Sequence, residues 1–188
     1  PIPAYLLPIP QRAVSYEDYA SVYADFRAAA RETPQTGWLP DHVILGTSLF
    51  RTNRISWEEE REIYMRVISA LKESGVEHIA FKAHPRAVAR PLIAPADGVE
   101  VLNSAIPVEV FARPGGGGAA YGISSTALFT LREYFGWKCY RIETPTARAV
   151  LDCSPHLRLV ETFSPTSIDD LRTTSRAALS RSAAREES

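Results

Sequence analysis

The sequence predicts an α/β protein of Rossmann-like type, an open parallel sheet with helices on both faces. Three observations carry this. Short, almost unbroken apolar runs recur, among them HVILG at 42–46, HIAFK at 78–82 and AAYGI at 119–123, as strands buried on both faces require. Segments of helical period lie between them. The two types alternate along the chain, the order of βαβ units with right-handed crossovers.

Taken in order, the first element is a lead-in over 1–14. Four prolines within residues 1–10 exclude regular helix there. From Ser15, a plausible cap, Tyr19, Val22, Tyr23 and Phe26 form one apolar stripe of a helix that ends before Pro34. His42–Gly46 is the first buried strand, and 47–55 is a polar loop. Ser56 with Glu59 reads as a capping box. Ile63, Val67 and Leu71, flanked by Tyr64 and Ile68, mark the buried face of the helix that follows, and Gly75 ends it. Strands are expected at 78–82, 99–102, 119–123 and 138–142, with another or an edge piece at 157–160. A short helix is expected over 107–111 with Pro107 in its first turn, and a longer one over 126–135, with Leu128, Phe129, Leu131 and Phe135 as its apolar residues, closed by Gly136. The last is amphipathic, over 167–179. The domain therefore spans 15–179, and 180–188 is a polar tail.

The composition suits one soluble domain: 188 residues, 45% hydrophobic and 23% charged. A formal net charge of −1 gives the whole molecule no electrostatic reason to seek nucleic acid, so any anion site is local. Cys139 and Cys153 have neither CxxC nor zinc-ligand spacing and read as small core residues of a reducing compartment. No apolar run is long enough to cross a bilayer, and no signal peptide is recognisable. The chain opens at Pro1 without an initiator methionine, which suggests a piece of a longer protein.

In an open parallel sheet, ligands bind beyond the carboxyl ends of the strands. Gly46-Thr47-Ser48 follows the first strand: glycine lets the backbone approach a ligand and the hydroxyls can bind phosphate or sugar, although such a loop is also ordinary turn composition. Lys82-Ala83-His84-Pro85-Arg86 at the second strand end is the sharpest signal. It crowds cationic groups around a turn stiffened by proline and suits a phosphate. Ser124-Ser125-Thr126 leads into a helix, whose N-terminus favours an anion, and the same residues are common caps. Glu109 either faces its own helix dipole or accepts the two hydroxyls of a ribose. The run Gly115–Gly118 lacks the GK[ST] ending of a P-loop and reads as a mobile loop near the mouth of the site.

Lys82-Ala83-His84-Pro85 resembles the HP motif of bacterial sialyltransferases, and Ser124-Ser125-Thr126 resembles their serine motif. Pro107-Val108-Glu109 lies where those enzymes carry a ribose-binding glutamate. The surrounding wording, including HVILGTSLF and YGISSTALF, is most similar to the capsular α-2,8-polysialyltransferase group over about residues 43–142. The resemblance implies the donor-binding half of a GT-B enzyme that uses CMP-sialic acid. It implies inverting transfer to a glycan acceptor with no cofactor and no metal. It places Lys82 at the cytosine end, Glu109 at the ribose, and His84, Ser124 and Ser125 at the phosphate. Gly46 and Thr47 would line the same cleft, with Pro85, Arg86 and Thr126 completing the CMP-binding set. His84, if protonated, is the candidate general acid. The base would come from a D/E-D/E-G motif in an N-terminal partner domain. Asp169-Asp170-Leu171 does not supply that motif, so the chain alone is expected to bind CMP without efficient transfer. The implied location is cytoplasmic, at the inner face of the membrane by peripheral association. The alternatives are a transferase using another activated donor in cell-wall polymer synthesis, and a noncatalytic nucleotide-binding module.

Overall fold

Six strands form one sheet in the computed structural model: β1 (His42–Leu45), β2 (Ile79–Lys82), β3 (Glu100–Leu102), β4 (Ala119–Gly122), β5 (Lys138–Ile142) and β6 (Pro165–Thr166). The structure describes residues 39–152 except 88, 103–104 and 113–116, together with 165–168, 170 and the single position 21. The strand order is β3-β2-β1-β4-β5-β6, and every neighbouring pair is parallel. The chain travels outward from β1 to β3, then returns to lay β4 on the other side of β1. That reversal opens a crevice beyond the carboxyl ends of β1 and β4. The fold is α/β and Rossmann-like, as the sequence predicts.

The period-two alternation of the strands sorts their side chains onto two buried faces. Ile44, Phe81, Tyr121 and Ile142 join Ile63, Tyr64, Val67, Ile68 and Leu71 of α1 (Trp57–Glu73) in one core. Val43, Leu45, Ala80 and Ala120 join Leu128, Leu131 and Phe135 of α2 (Ala127–Phe135) in the other. Both faces being covered, the strands read as apolar runs with no polar side. Each fully buried aliphatic side chain contributes about 1.5–3 kcal/mol.

The local signals act as their chemistry requires. Ser56 Oγ accepts from the Glu59 N–H at 3.1 Å, and Glu59 Oε2 accepts from the Ser56 N–H at 2.8 Å, so the first turn of α1 is closed reciprocally. Gly136 stops α2 at φ 69°, a conformation that costs other residues strain.

Some expectations change. The turn at 107–111 is a 3-10 turn over Val108–Val110, with Pro107 extended at its cap instead of inside it. Phe129 is 37% exposed, with the Arg132 guanidinium 6.0 Å from its ring centroid, so it lies off the buried stripe of α2. Gly118 lies against the Trp137 ring at the amino end of β4, the end opposite the crevice, and so is not at its mouth. An unforeseen helix α3 (Pro145–Asp152) follows β5, with Thr144 Oγ1 accepting from the Ala147 N–H at 3.0 Å. The lead-in, the strand at 157–160 and the tail lie outside the described residues. So do the first and last predicted helices, except Ser21, Ile168 and Asp170, which are helical, and Ser167, which is not.

Candidate functional site

Parallel register sets the three informative strand ends side by side. Leu45 is paired with Lys82 on one side and with Gly122 on the other, so the loops after β1, β2 and β4 leave the sheet together. Between them and the 3-10 turn at 108–110 lies an open cleft of about 320 Å³, at the lower end of the range usual for small-molecule sites. Gly46, Lys82, His84, Pro85, Glu109, Ser125 and Thr126 line it, and Ala105, Ile106 and Pro107 contribute to the wall.

Lys82 ends β2 and is only 7% exposed. Its Nζ donates to the Ala83 carbonyl at 3.2 Å. Burial lowers its pKa to about 8, while the Glu109 carboxylate works in the opposite direction. Glu109 is itself 7% exposed, and its Oε1 accepts from Thr130 Oγ1 of α2 at 2.5 Å. One helix therefore aims the carboxylate while its N-terminus forms another side of the same cleft.

Pro85 opens a 3-10 turn over Pro85–Ala87 that is closed by the Ala87 N–H donating to the His84 carbonyl at 2.8 Å. This holds His84 at the rim, half-buried. The Arg86 N–H donates to His84 Nδ1 at 3.1 Å. A main-chain N–H can only donate, so Nδ1 is the unprotonated nitrogen and Nε2 carries the hydrogen. Burial, then the charges of Arg86 and Lys82, hold the imidazole below its ordinary pKa. The free site thus contains a neutral histidine among the residues that line the cleft.

At the start of α2 the Ala127 N–H donates to Ser125 Oγ at 3.3 Å, and the Leu128 N–H to the Ser125 carbonyl at 3.2 Å. No described residue accepts from the N–H groups of Ser125 or Thr126. Such groups, with the helix dipole behind them, are suited to an anion.

Three residues of the sequence-derived set fall elsewhere. Thr47 is 5% exposed and does not line the cleft: its hydroxyl donates to Glu60 Oε1 at 2.6 Å behind β1. Arg86 is exposed, and its side chain does not line the cleft, although its N–H acts on His84. Ser124 is half-buried and also outside the lining, so one serine of the pair faces the cavity. Gly46 lines the cleft, but the close approach that demands glycine is to the core: a Cβ there would stand 2.7 Å from Phe81 Cζ.

Sequence reasoning passed over Ser48, whose Oγ lies 3.3 Å from His84 Nδ1, and Thr130, which aims Glu109. Ser48 was visible in the Gly46-Thr47-Ser48 run, but nothing in the run tells which hydroxyl turns outward. Thr130 gave no signal, being one polar residue inside a helix.

Sheet order and cleft together define a Rossmann-like domain with its ligand crevice at the topological switch point. A model of the alpha-2,8-polysialyltransferase family matches residues 10–140. The chain belongs to that family, and so to the sialyltransferases. No curated protein and no solved structure matches it. Among the described residues no three His, Cys, Asp or Glu side chains gather as a metal site requires, and no helix is long and apolar enough to cross a membrane.

Proposed function

We propose that the cleft binds the CMP moiety of CMP-sialic acid and that the chain supplies the donor side of a sialyltransferase. The observation that carries this is the gathering of Lys82, His84, Glu109 and Ser125 around one cavity at the carboxyl rim of the sheet. In this reading Glu109, aimed by Thr130, accepts the ribose hydroxyls. Lys82 lies at the cytosine end. The phosphate faces the N-terminus of α2, the Ser125 hydroxyl and His84 Nε2. Ser124 and Thr47 drop out of direct contact, and Arg86 contributes through its main chain.

The chemistry follows from where charge develops. Breaking the bond between sialic acid and CMP leaves extra negative charge on the phosphate. N–H groups fixed before the reaction stabilise that charge more in the transition state than in the bound donor. With Nδ1 already accepting a hydrogen bond, His84 acts first as a neutral Nε2–H donor. Service as a general acid requires protonation, which the free site disfavours and a bound phosphate promotes. The acceptor hydroxyl attacks from the opposite face with inversion. Its base comes from a partner GT-B domain, so this chain alone binds donor and transfers little. Transfer to a surface or capsular glycan at the inner face of a bacterial membrane belongs to the same proposal. No cofactor or metal takes part.

Titration with CMP, UMP and CDP tests the reading. CMP is expected to bind best. His84→Ala should weaken it by about ten-fold or more, the range for a hydrogen bond to a charged group, with nearly unchanged melting temperature. Equal affinity for all three nucleotides, or no loss in the variant, would sink the assignment.

A further inference from the structure

We propose that Ser48 is a positioning residue for His84, held in place from behind by the buried carboxylate of Glu60. The role rests on the donor-site reading above. Glu60 lies on the first turn of α1 and has no exposed surface. Its two oxygens grip the loop after β1 at two points. Oε1 accepts from Thr47 Oγ1 at 2.6 Å, and Oε2 accepts from the Phe50 N–H at 2.9 Å. The Thr47 N–H donates to Tyr64 Oη at 2.9 Å, a third anchor from the same helix. Ser48 stands between the clamped residues, 9% exposed, so its backbone has little freedom to swing.

That placement brings Ser48 Oγ to 3.3 Å from His84 Nδ1. The Arg86 N–H already donates to Nδ1, so the serine hydroxyl can only act as a second donor to it. The Arg86 N–H fixes the tautomer, and the serine hydroxyl, sharing the one lone pair of Nδ1, adds to the opposition to its protonation and restrains the plane of the ring. Lys82 and Arg86 are the charged groups that act on the imidazole, and both oppose a positive ring. The consequence is directional: His84 offers the cleft an N–H before any ligand arrives. Orientation set in advance costs nothing at the moment of reaction.

The test reads the ring itself, on the full 188-residue chain labelled with ¹⁵N-histidine. Wild type should show a pyridine-like Nδ1 and a pyrrole-like Nε2 at His84. In Ser48→Ala the Nδ1 resonance should shift while the Arg86 N–H keeps the tautomer, His84 should titrate at higher pH, and CMP affinity should fall by about two- to ten-fold, as for one lost hydrogen bond. Ser48→Thr, which keeps the hydroxyl, should restore all three readouts. Ser48→Cys, a far weaker donor of similar shape, replaces the alanine variant if that one does not fold. A wild-type His84 protonated on Nδ1, or a ring signal unmoved by loss of the hydroxyl, overturns the proposal. A wild-type chain that ignores CMP while its ring responds to Ser48→Ala removes the donor-site reading and supports the contact between Ser48 and His84.

Discussion

Behind β1, the polar side chains of Thr47, Glu60 and Tyr64 close on one another: the threonine hydroxyl meets Glu60 Oε1 at 2.6 Å and the tyrosine hydroxyl at 2.9 Å. In front of the neighbouring strand ends, Lys82, His84, Glu109 and Ser125 surround a cavity. The two clusters are adjacent, and both are built from buried or half-buried polar groups. They differ in what their hydrogen bonds leave over. The first turns its donors and acceptors inward and so fixes a loop. The second leaves His84 Nε2 and the N–H groups of Ser125 and Thr126 without an acceptor among the described residues. A structural network and a binding site can share composition, and unused donor capacity tells them apart.

The largest effect expected from this contrast is on stability. Glu60→Ala leaves the Phe50 N–H without its acceptor and the Thr47 hydroxyl with Tyr64 Oη alone. A buried donor that loses its acceptor costs about 1–3 kcal/mol. Denaturant unfolding checks this. A loss under about 1 kcal/mol would mean that the knot behind β1 is dispensable and the comparison misdrawn.

Next comes a pH effect confined to the cleft. The folded pKa of Lys82, about 8, lies below its ordinary value, because burial disfavours the charged form. The unfolded chain therefore binds more protons than the folded one between pH 8 and the usual lysine range, and this group makes stability rise with pH across that window. CMP binding has the opposite preference, since a charged Lys82 is the stronger donor to the cytosine end, where the proposal puts it. CMP affinity should fall by up to about ten-fold per pH unit above pH 8, with proton uptake on binding. Calorimetry in buffers of different ionisation enthalpy reads the uptake. Lys82→Met should abolish it, and uptake that persists in that variant would place the titrating group elsewhere.

How far the sequence reveals all this depends on the range of the signal. Apolar runs, the Ser56 box and Gly136 act within a few residues, so the strands and the long helices were legible. The helix α3 was signalled by Thr144-Pro145, a cap followed by a first-turn proline, but its eight residues span only about two turns and repeat the pattern too few times to stand out. The two-residue β6 begins with proline and has almost none. At the site, the strand ends pointed to loops that line the cleft. What they could not give was rotation within a loop. Thr47 and Ser48 are chemically alike, and only the packing of Glu60 against the first leaves the second facing His84. The division between Ser124 and Ser125 has the same origin, in the turn that starts α2.

The smallest effect sharpens that point at Arg86. Its charge made it a natural candidate for phosphate contact, yet the side chain is exposed and outside the cleft, where solvent and salt screen it. Its main chain is engaged twice: the N–H donates to His84 Nδ1, and the carbonyl accepts from Arg51 Nη1. Arg86→Ala keeps both groups and should change CMP affinity by less than about two-fold, within the range for an exposed charge. Arg86→Pro deletes the N–H and should weaken CMP binding more than the alanine change does. Nucleotide titrations at low and high salt compare the two variants. An alanine variant that loses ten-fold at low salt and recovers at high salt would mean that the guanidinium reaches the phosphate. Equal, small losses at both salts keep the contribution of Arg86 in its backbone.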